Sequence, residues 1–256
     1  MHLLWNSEQD NEGYIVKEVF DMNKKLWFLL IIAVFLVWEN PALADFYVIS
    51  VPTKSLKNVV TVAKGKGQFS DPVAAVNSIS DASASNPYLV VIGPGVYTLT
   101  QTLAMKEYVD IAGSGENVTK LQGAISTGSL DASSAIISGA NNAALSSLTA
   151  ENTGGSTHSI ALFNSGASPI VKDVTATASG GSSINYGVYN YYSFPKIRRS
   201  TMDGIGGGLR TYGTSTATLS QSTIIGGAET VSGGTNTCVA CDDGSGGELN
   251  GTCGSI

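Results

Sequence analysis

Apolar and polar positions along this chain come in short runs that return at regular intervals. Leu145-Ser-Ser-Leu-Thr149, Val171-Lys-Asp-Val-Thr175, Ile197-Arg-Arg-Ser-Thr201 and Leu219-Ser-Gln-Ser-Thr223 align at successive spacings of 26, 26 and 22. Leu145, Val171, Ile197 and Leu219 fall in one apolar column, and Thr149, Thr175, Thr201 and Thr223 in one polar column. A second set, Ala135-Ile-Ile-Ser138, Ala161-Leu-Phe-Asn164 and Gly187-Val-Tyr-Asn190, repeats at a spacing of 26. Each repeat therefore carries at least two short strands.

Strands this short, separated by clusters such as Thr153-Gly-Gly-Ser156 and Ser179-Gly-Gly-Ser-Ser183, cannot hide an apolar face alone, but stacked repeats can. The pattern predicts an all-β fold: a right-handed, single-stranded parallel β-helix, a solenoid whose coils each hold about two dozen residues. Each strand then pairs in parallel with its equivalent about 4.8 Å away, and like side chains stack. The Thr column and the pair Asn164 and Asn190 are expected to hydrogen-bond from coil to coil. A leucine-rich solenoid has a similar period but requires L-x-x-L-x-L-x-x-N and a following helix, and neither is present.

Ahead of the repeat, Asp71-Pro72 reads as a helix start, with Asp as N-cap and Pro at the first position; Val73, Val76 and Ile79 then share a face. Such a short helix would cap the first coil, whose edge and core are otherwise open. A buried run, Leu89 to Ile92, and a Gly93-Pro-Gly95 turn come next.

The stretch 1–44 reads differently. Lys24 and Lys25 precede an unbroken apolar run from Leu26 to Trp38, and Ala42-Leu43-Ala44 matches an A-x-A cleavage pattern. A transmembrane helix needs about 20 apolar residues, more than this run supplies, so a secretory signal is expected, with cleavage after Ala44 and a true start at Met22. The expected organisation is a leader at 1–44, an N-terminal cap and first coils at 45–125, and further coils with a cysteine-containing cap at 126–256. A secreted location follows, with no stable membrane span after cleavage.

Charged residues make up only 13% of the chain and glycine 30 of 256, which suits neither a disordered nor a helical protein. Past Ala44 there remain 11 basic against 14 acidic side chains, a balance unsuited to nucleic acid. Cys238, Cys241 and Cys253 all lie near the C-terminus of a chain expected to meet an oxidising compartment. A Cys238–Cys253 bridge closing the end of the solenoid is the simplest pairing, with Cys241–Cys253 as its rival.

The segment from Gly65 to Gly123 resembles the opening of pectin methylesterases, within the pectin-lyase-like superfamily. The matching residues are Gly67-Gln-Phe69, Asp71-Pro-Val-Ala-Ala-Val76, Tyr88-Leu-Val-Val-Ile92, Gly95-Val-Tyr97, Lys106, Ile111-Ala-Gly-Ser-Gly115 and Thr119-Lys-Leu121. The resemblance implies a β-helix and, by extension, carbohydrate chemistry. The family's catalytic stretches have no counterpart: Leu99 stands where the G-x-Y-x-E pattern has Glu, and no Q-A-V-A-like, Q-D-T-like, D-F-I-F-G-like or G-R-P-W-like segment follows.

Hydrolysis or elimination on this scaffold needs two carboxylates, or a carboxylate and a base, reaching one sugar from neighbouring coils. Asp173 falls over Arg199 and Asp203 over Thr177, so this pair diverges. His158 has no G-x-S-x-G serine to serve. Asp242-Asp243-Gly244 lacks a calcium-loop spacing and Cys238-x-x-Cys241 a second ligand pair. No catalytic residue, metal or cofactor is expected. Two groups could contact a polysaccharide or cell-surface glycan. Asp173, Arg198 and Arg199, with Lys172, form either a solvated face or an anionic-sugar contact. Tyr189, Tyr191 and Tyr212, in a stretch that also holds Tyr186, Tyr192 and Phe194, are either packing residues or a ligand platform. The expected function is an exported, non-catalytic surface, adhesive or glycan-contacting protein. The alternative is a carbohydrate-active enzyme of the pectinesterase or pectate-lyase type.

Overall fold

A computed structural model describes residues 58–255. The leader and cleavage site expected within 1–44 lie outside the described residues. No helix among the described residues is long and apolar enough to cross a membrane.

The chain is a parallel β-helix. Among the described residues two sheets hold 12 and seven strands, almost all paired in parallel with equivalents one coil away. The larger sheet is creased lengthwise, so a cross-section has three faces. Strand Ile170–Ala178 shows how: its first half lies on the first face, its second half on the second, and Asp173 sits at the crease with φ of 54°. Ser147, Arg199, Gln221 and Ala240 occupy the same corner in other coils, also with positive φ. None is glycine, so each accepts a left-handed conformation costing about 1–2 kcal/mol. The ladders on both sides of the corner hold it in place. Nothing in the residue types along this column marks it as a turn.

The predicted apolar column is part of the core. Val90, Ile111, Leu145, Val171, Ile197, Leu219 and Cys238 stack on the inner side of the first face, each almost fully buried. Leu121, Ala150, Ala176, Met202 and Ile224 line the second face, and Leu103, Ile137, Leu162, Val188 and Leu209 the third. A polar ladder runs beside the third column: Asn164 Nδ2 donates to Asn190 Oδ1 (2.8 Å), Asn190 Nδ2 to Thr211 Oγ1 (3.4 Å), and Thr211 Oγ1 to Asn236 Oδ1 (2.7 Å). All four residues are buried. Each supplies a partner the interior would otherwise deny its neighbour.

Four details differ from the sequence reading. Ala135 pairs with Ile160 instead of Ala161, and Ile137 with Leu162 instead of Phe163, so the register of this step is one position away from the predicted one. In a period-two strand such a slip exchanges inward and outward positions. Coil length also varies more than expected: the step from Ile111 to Leu145 is much longer than the repeat, and the step from Leu219 to Cys238 is shorter than any predicted. The Leu89–Ile92 run alternates, with Val90 and Ile92 buried and Leu89 and Val91 half-exposed. Finally, the Thr149 column is in register but faces outward. Thr149 donates to the Glu116 carbonyl, Thr175 to the Glu116 carboxyl and Thr223 to Asp242, instead of to one another.

The cap is the helix Pro72–Ser78, with the Asp71 carboxylate accepting from Val73 N at 2.9 Å. Val73, Ala75 and Val76 face the core, and Lys106 Nζ donates to the carbonyls of Asn77 and Ile79 at the helix end. At the other end Cys238 is bonded to Cys253, and the tail folds back so that Cys238 N donates to Gly251 O and Leu249 N to Cys241 O. Cys241 is a buried free thiol.

Candidate glycan-contacting site

The third face turns two columns outward. Phe163, Tyr189, Arg210 and Glu229 form one; Ser165, Tyr191, Tyr212 and Val231 the other. Alternation along each strand places both columns on the same side.

Tyr189 lies at the bottom of this surface. It is 4% exposed, packed between Phe163 and Tyr186 at centroid distances of 5.4 and 5.9 Å, in a small cluster partly covered by Leu130 and Ala132. Its ring is a packing residue with no open face. Arg210 extends over Tyr186 and Tyr189, with its guanidinium carbon 5.3 and 5.5 Å from the two ring centroids. Arg210 Nη1 donates to the Tyr186 hydroxyl and to Glu229 Oε2, and the Tyr186 hydroxyl donates to the same carboxylate oxygen at 2.8 Å. Burial pushes the Tyr186 and Tyr189 hydroxyls above the ordinary tyrosine range, so both stay protonated.

Above this floor Tyr191 stacks on Tyr212, centroids 5.3 Å apart and planes 16° from parallel. Stacked rings one coil apart cover each other and leave mainly their edges outward. Tyr192 completes the surface, edge-on to Tyr191 at 4.6 Å and to Tyr212 at 6.3 Å. One side of the Tyr192 ring rests on Gly213, where a Cβ would come within 2.8 Å of ring atoms. The residue is 49% exposed, so an open part of the ring is presented to solvent on a fixed support. Gly213 also has φ of 72°, so glycine serves both the turn and the seating of the ring.

The charged group lies elsewhere. Arg199 holds Asp173 through two parallel hydrogen bonds of 2.8 and 3.1 Å at the crease, a strand further along the coil from the tyrosines. That pairing keeps the Asp173 carboxyl below its ordinary value, with Lys172 Nζ at 3.8 Å adding to the effect. Arg198 faces outward beside Lys172 in the first-face ladder. The residues expected from sequence therefore divide between two surfaces: Tyr191 and Tyr212 on one, Asp173, Arg198 and Arg199 on the other.

Sequence reasoning missed Arg210, Glu229 and Glu116. Arg210 pairs with Tyr189, and Glu229 with Arg210, across coils shorter than the repeat frame allowed. Glu116 belongs to a loop with no place in the repeat. That loop puts its carboxyl over the second face, 3.4 Å from the Thr175 hydroxyl, and burial raises its pKa, with the charge on Asp173 adding to the rise.

No family model matches this chain, and no curated protein does. Similar solved structures include the pectin methylesterase PemA from Erwinia chrysanthemi, 18% identical with a TM-score of 0.49, the match covering 67% of this chain and 55% of that one. A pectin methylesterase from carrot is 16% identical with a TM-score of 0.45, covering 70% of this chain and 64% of that one. The A-module of the Azotobacter vinelandii mannuronan C-5 epimerase AlgE6 is 15% identical with a TM-score of 0.38, covering 66% and 51%. The chain thus spans between half and two thirds of the length of these three structures.

Proposed function

We propose that this protein is an exported, non-catalytic β-helix that contacts a glycan through the tyrosine surface of its third face. The observation carrying the reading is the Tyr192 ring, seated on Gly213 and braced by Tyr191 and Tyr212. An open aromatic ring offers a flat apolar patch for the C–H face of a sugar, and Arg210 and Glu229 nearby supply polar groups of both signs. Because the support is rigid, little side-chain entropy is lost on binding.

A glycan-array measurement with variants tests this directly. Tyr192→Ala is expected to reduce binding at least tenfold while shifting the melting temperature little, since the side chain is half-exposed. Tyr189→Ala is expected to cost about 3 kcal/mol of stability, because it empties a buried ring site. A Tyr192→Ala variant that binds glycans like the parent protein would rule the platform out.

A second reading, a carbohydrate-active enzyme, is favoured by Glu116. Its carboxyl, pushed toward the protonated form, lies near the ionised Asp173, and pairs perturbed in opposite directions are how acid and base roles divide. Both Asp173 oxygens are held by Arg199, which places this reading second. If it is right, esterase or lyase turnover on pectin is measurable and falls at least a hundredfold in Glu116→Gln. Absence of turnover in the parent protein excludes it.

A further inference from the structure

The tail that closes the solenoid builds the same turn twice. At the first, Asp243 Oδ1 accepts from Ser245 N (2.8 Å), Ser245 Oγ (2.8 Å) and Gly247 N (2.9 Å), and Asp243 N donates to Gly247 O. At the second, Asn250 Oδ1 accepts from Thr252 N (2.9 Å), Thr252 Oγ1 (2.8 Å) and Gly254 N (3.0 Å), and Asn250 N donates to Gly254 O. The two networks match position for position: a side-chain oxygen, a hydroxyl residue two places on and a glycine four places on. Such turns are made by the Asx oxygen alone. A carboxylate serves at 243, and as the stronger acceptor it would serve equally at 250. The amide nitrogen is what asparagine adds, and Asn250 Nδ2 donates to no group among the described residues.

We propose that Asn250 is an N-glycosylation acceptor, whose Nδ2 takes an oligosaccharide from a lipid pyrophosphate carrier once the chain has been exported. Asn250-Gly251-Thr252 has the N-x-T spacing that this transfer requires, with no proline in the middle. A bond forms between Nδ2 and C1 of the first sugar, the bond from C1 to the pyrophosphate oxygen breaks, the lipid pyrophosphate leaves, and Nδ2 gives up one proton. The proposal rests on the exported location in the reading above and is independent of glycan contact by the tyrosine surface.

The structure distinguishes this site from the one other N-x-S/T triplet in the chain, Asn117-Val118-Thr119. Asn117 is exposed, but Thr119 is fully buried, its hydroxyl donating to Gly93 O at 3.1 Å and accepting from Ser114 N at 2.9 Å. A transferase that must reach the hydroxyl as well as the amide finds it closed off in the folded coil. Asn250, Gly251 and Thr252 are all exposed. The next residue, Cys253, is buried and bonded to Cys238, so the turn is pinned to the last coil. The acceptor thus stands on a fixed support at the end of the solenoid, where a bulky hydrophilic group displaces no core side chain.

Peptide mapping of the protein recovered from the exported fraction of its native cells, with N-terminal sequencing alongside, tests the site. The peptide spanning Asn250 is expected mainly in a form heavier by an oligosaccharide, and enzymatic release of the sugar should leave Asp at that position. Asn250→Asp should abolish the modification in a chain that still folds, because the turn keeps its acceptor. Thr252→Ala should lose the sugar too, Thr252→Ser should keep it, and Asn117→Gln should change nothing. An exported chain whose Asn250 is bare or merely deamidated, sugar on Asn117 instead, or sugar that survives Thr252→Ala overturns the acceptor and leaves the export reading standing. A chain found only inside the cell, with residues 1–44 still attached, overturns both.

Discussion

Val171→Asp should lower stability by about 4 kcal/mol or more, because an unpaired carboxylate would replace a side chain held between Leu145 and Ile197. Val171 is 1% exposed and belongs to a column that continues without interruption from Val90 to Cys238. A charge there cannot reach water without separating two coils, and in a solenoid each coil is stabilised mainly by its neighbours. Damage in the middle of the stack therefore uncouples what lies on either side. Lys172→Ala, one residue along and facing outward, should stay within about 0.5 kcal/mol of the parent protein. Denaturant unfolding of the two variants checks the alternation: similar midpoints would mean that inside and outside are assigned incorrectly.

Removing the terminal bridge, as Cys238→Ala with Cys253→Ala, should cost about 3 kcal/mol by the chain-entropy estimate for a loop of 15 residues. The position of the bridge decides where the loss appears. Cys238 is the last member of the first-face core column, and its backbone N–H is satisfied by Gly251 of the returning tail. Without the bridge the tail is held by a few backbone bonds such as Leu249 N to Cys241 O, and the edge of Thr235–Val239 becomes exposed. Hydrogen exchange should quicken first in residues 235–253 and leave the central coils protected. Peptide mapping that finds Cys241 in the bridge would remove this account of the cap.

The candidate site was legible in part. Tyr191 and Tyr212 could be named because half of the chain's 10 tyrosines fall between Tyr186 and Tyr212, which is visible without coordinates. Which ring packs and which is open could not be read, because Tyr189 and Tyr191 have the same strand parity and point to the same side. Their difference comes from cover: Phe163, Tyr186 and the Arg210 guanidinium enclose the Tyr189 ring, whereas Tyr191 is 38% exposed. The open ring is Tyr192, the residue after the strand, and its seat depends on Gly213 of the next coil. Arg210 and Glu229 escaped notice because the coils shorten, so a fixed period loses register with them.

Sequence alone determined the parallel β-helix, its first-face core column, the Asp71-capped helix and the pairing of Asp173 with Arg199. These follow from local chemistry or from like residues recurring at a near-constant spacing, and repetition makes long-range neighbours readable from a one-dimensional pattern. Tertiary structure alone decided the crease at Ser147, Asp173 and Arg199, the shift in register at Ala135, the place of Glu116 over the second face, and the seat of Tyr192 on Gly213. Each depends on turns and loops of unequal length, whose course is set by what they pack against. A loop that inserts residues between two coils leaves the ladder intact, but it moves every outward-facing side chain near it to a position that no period records.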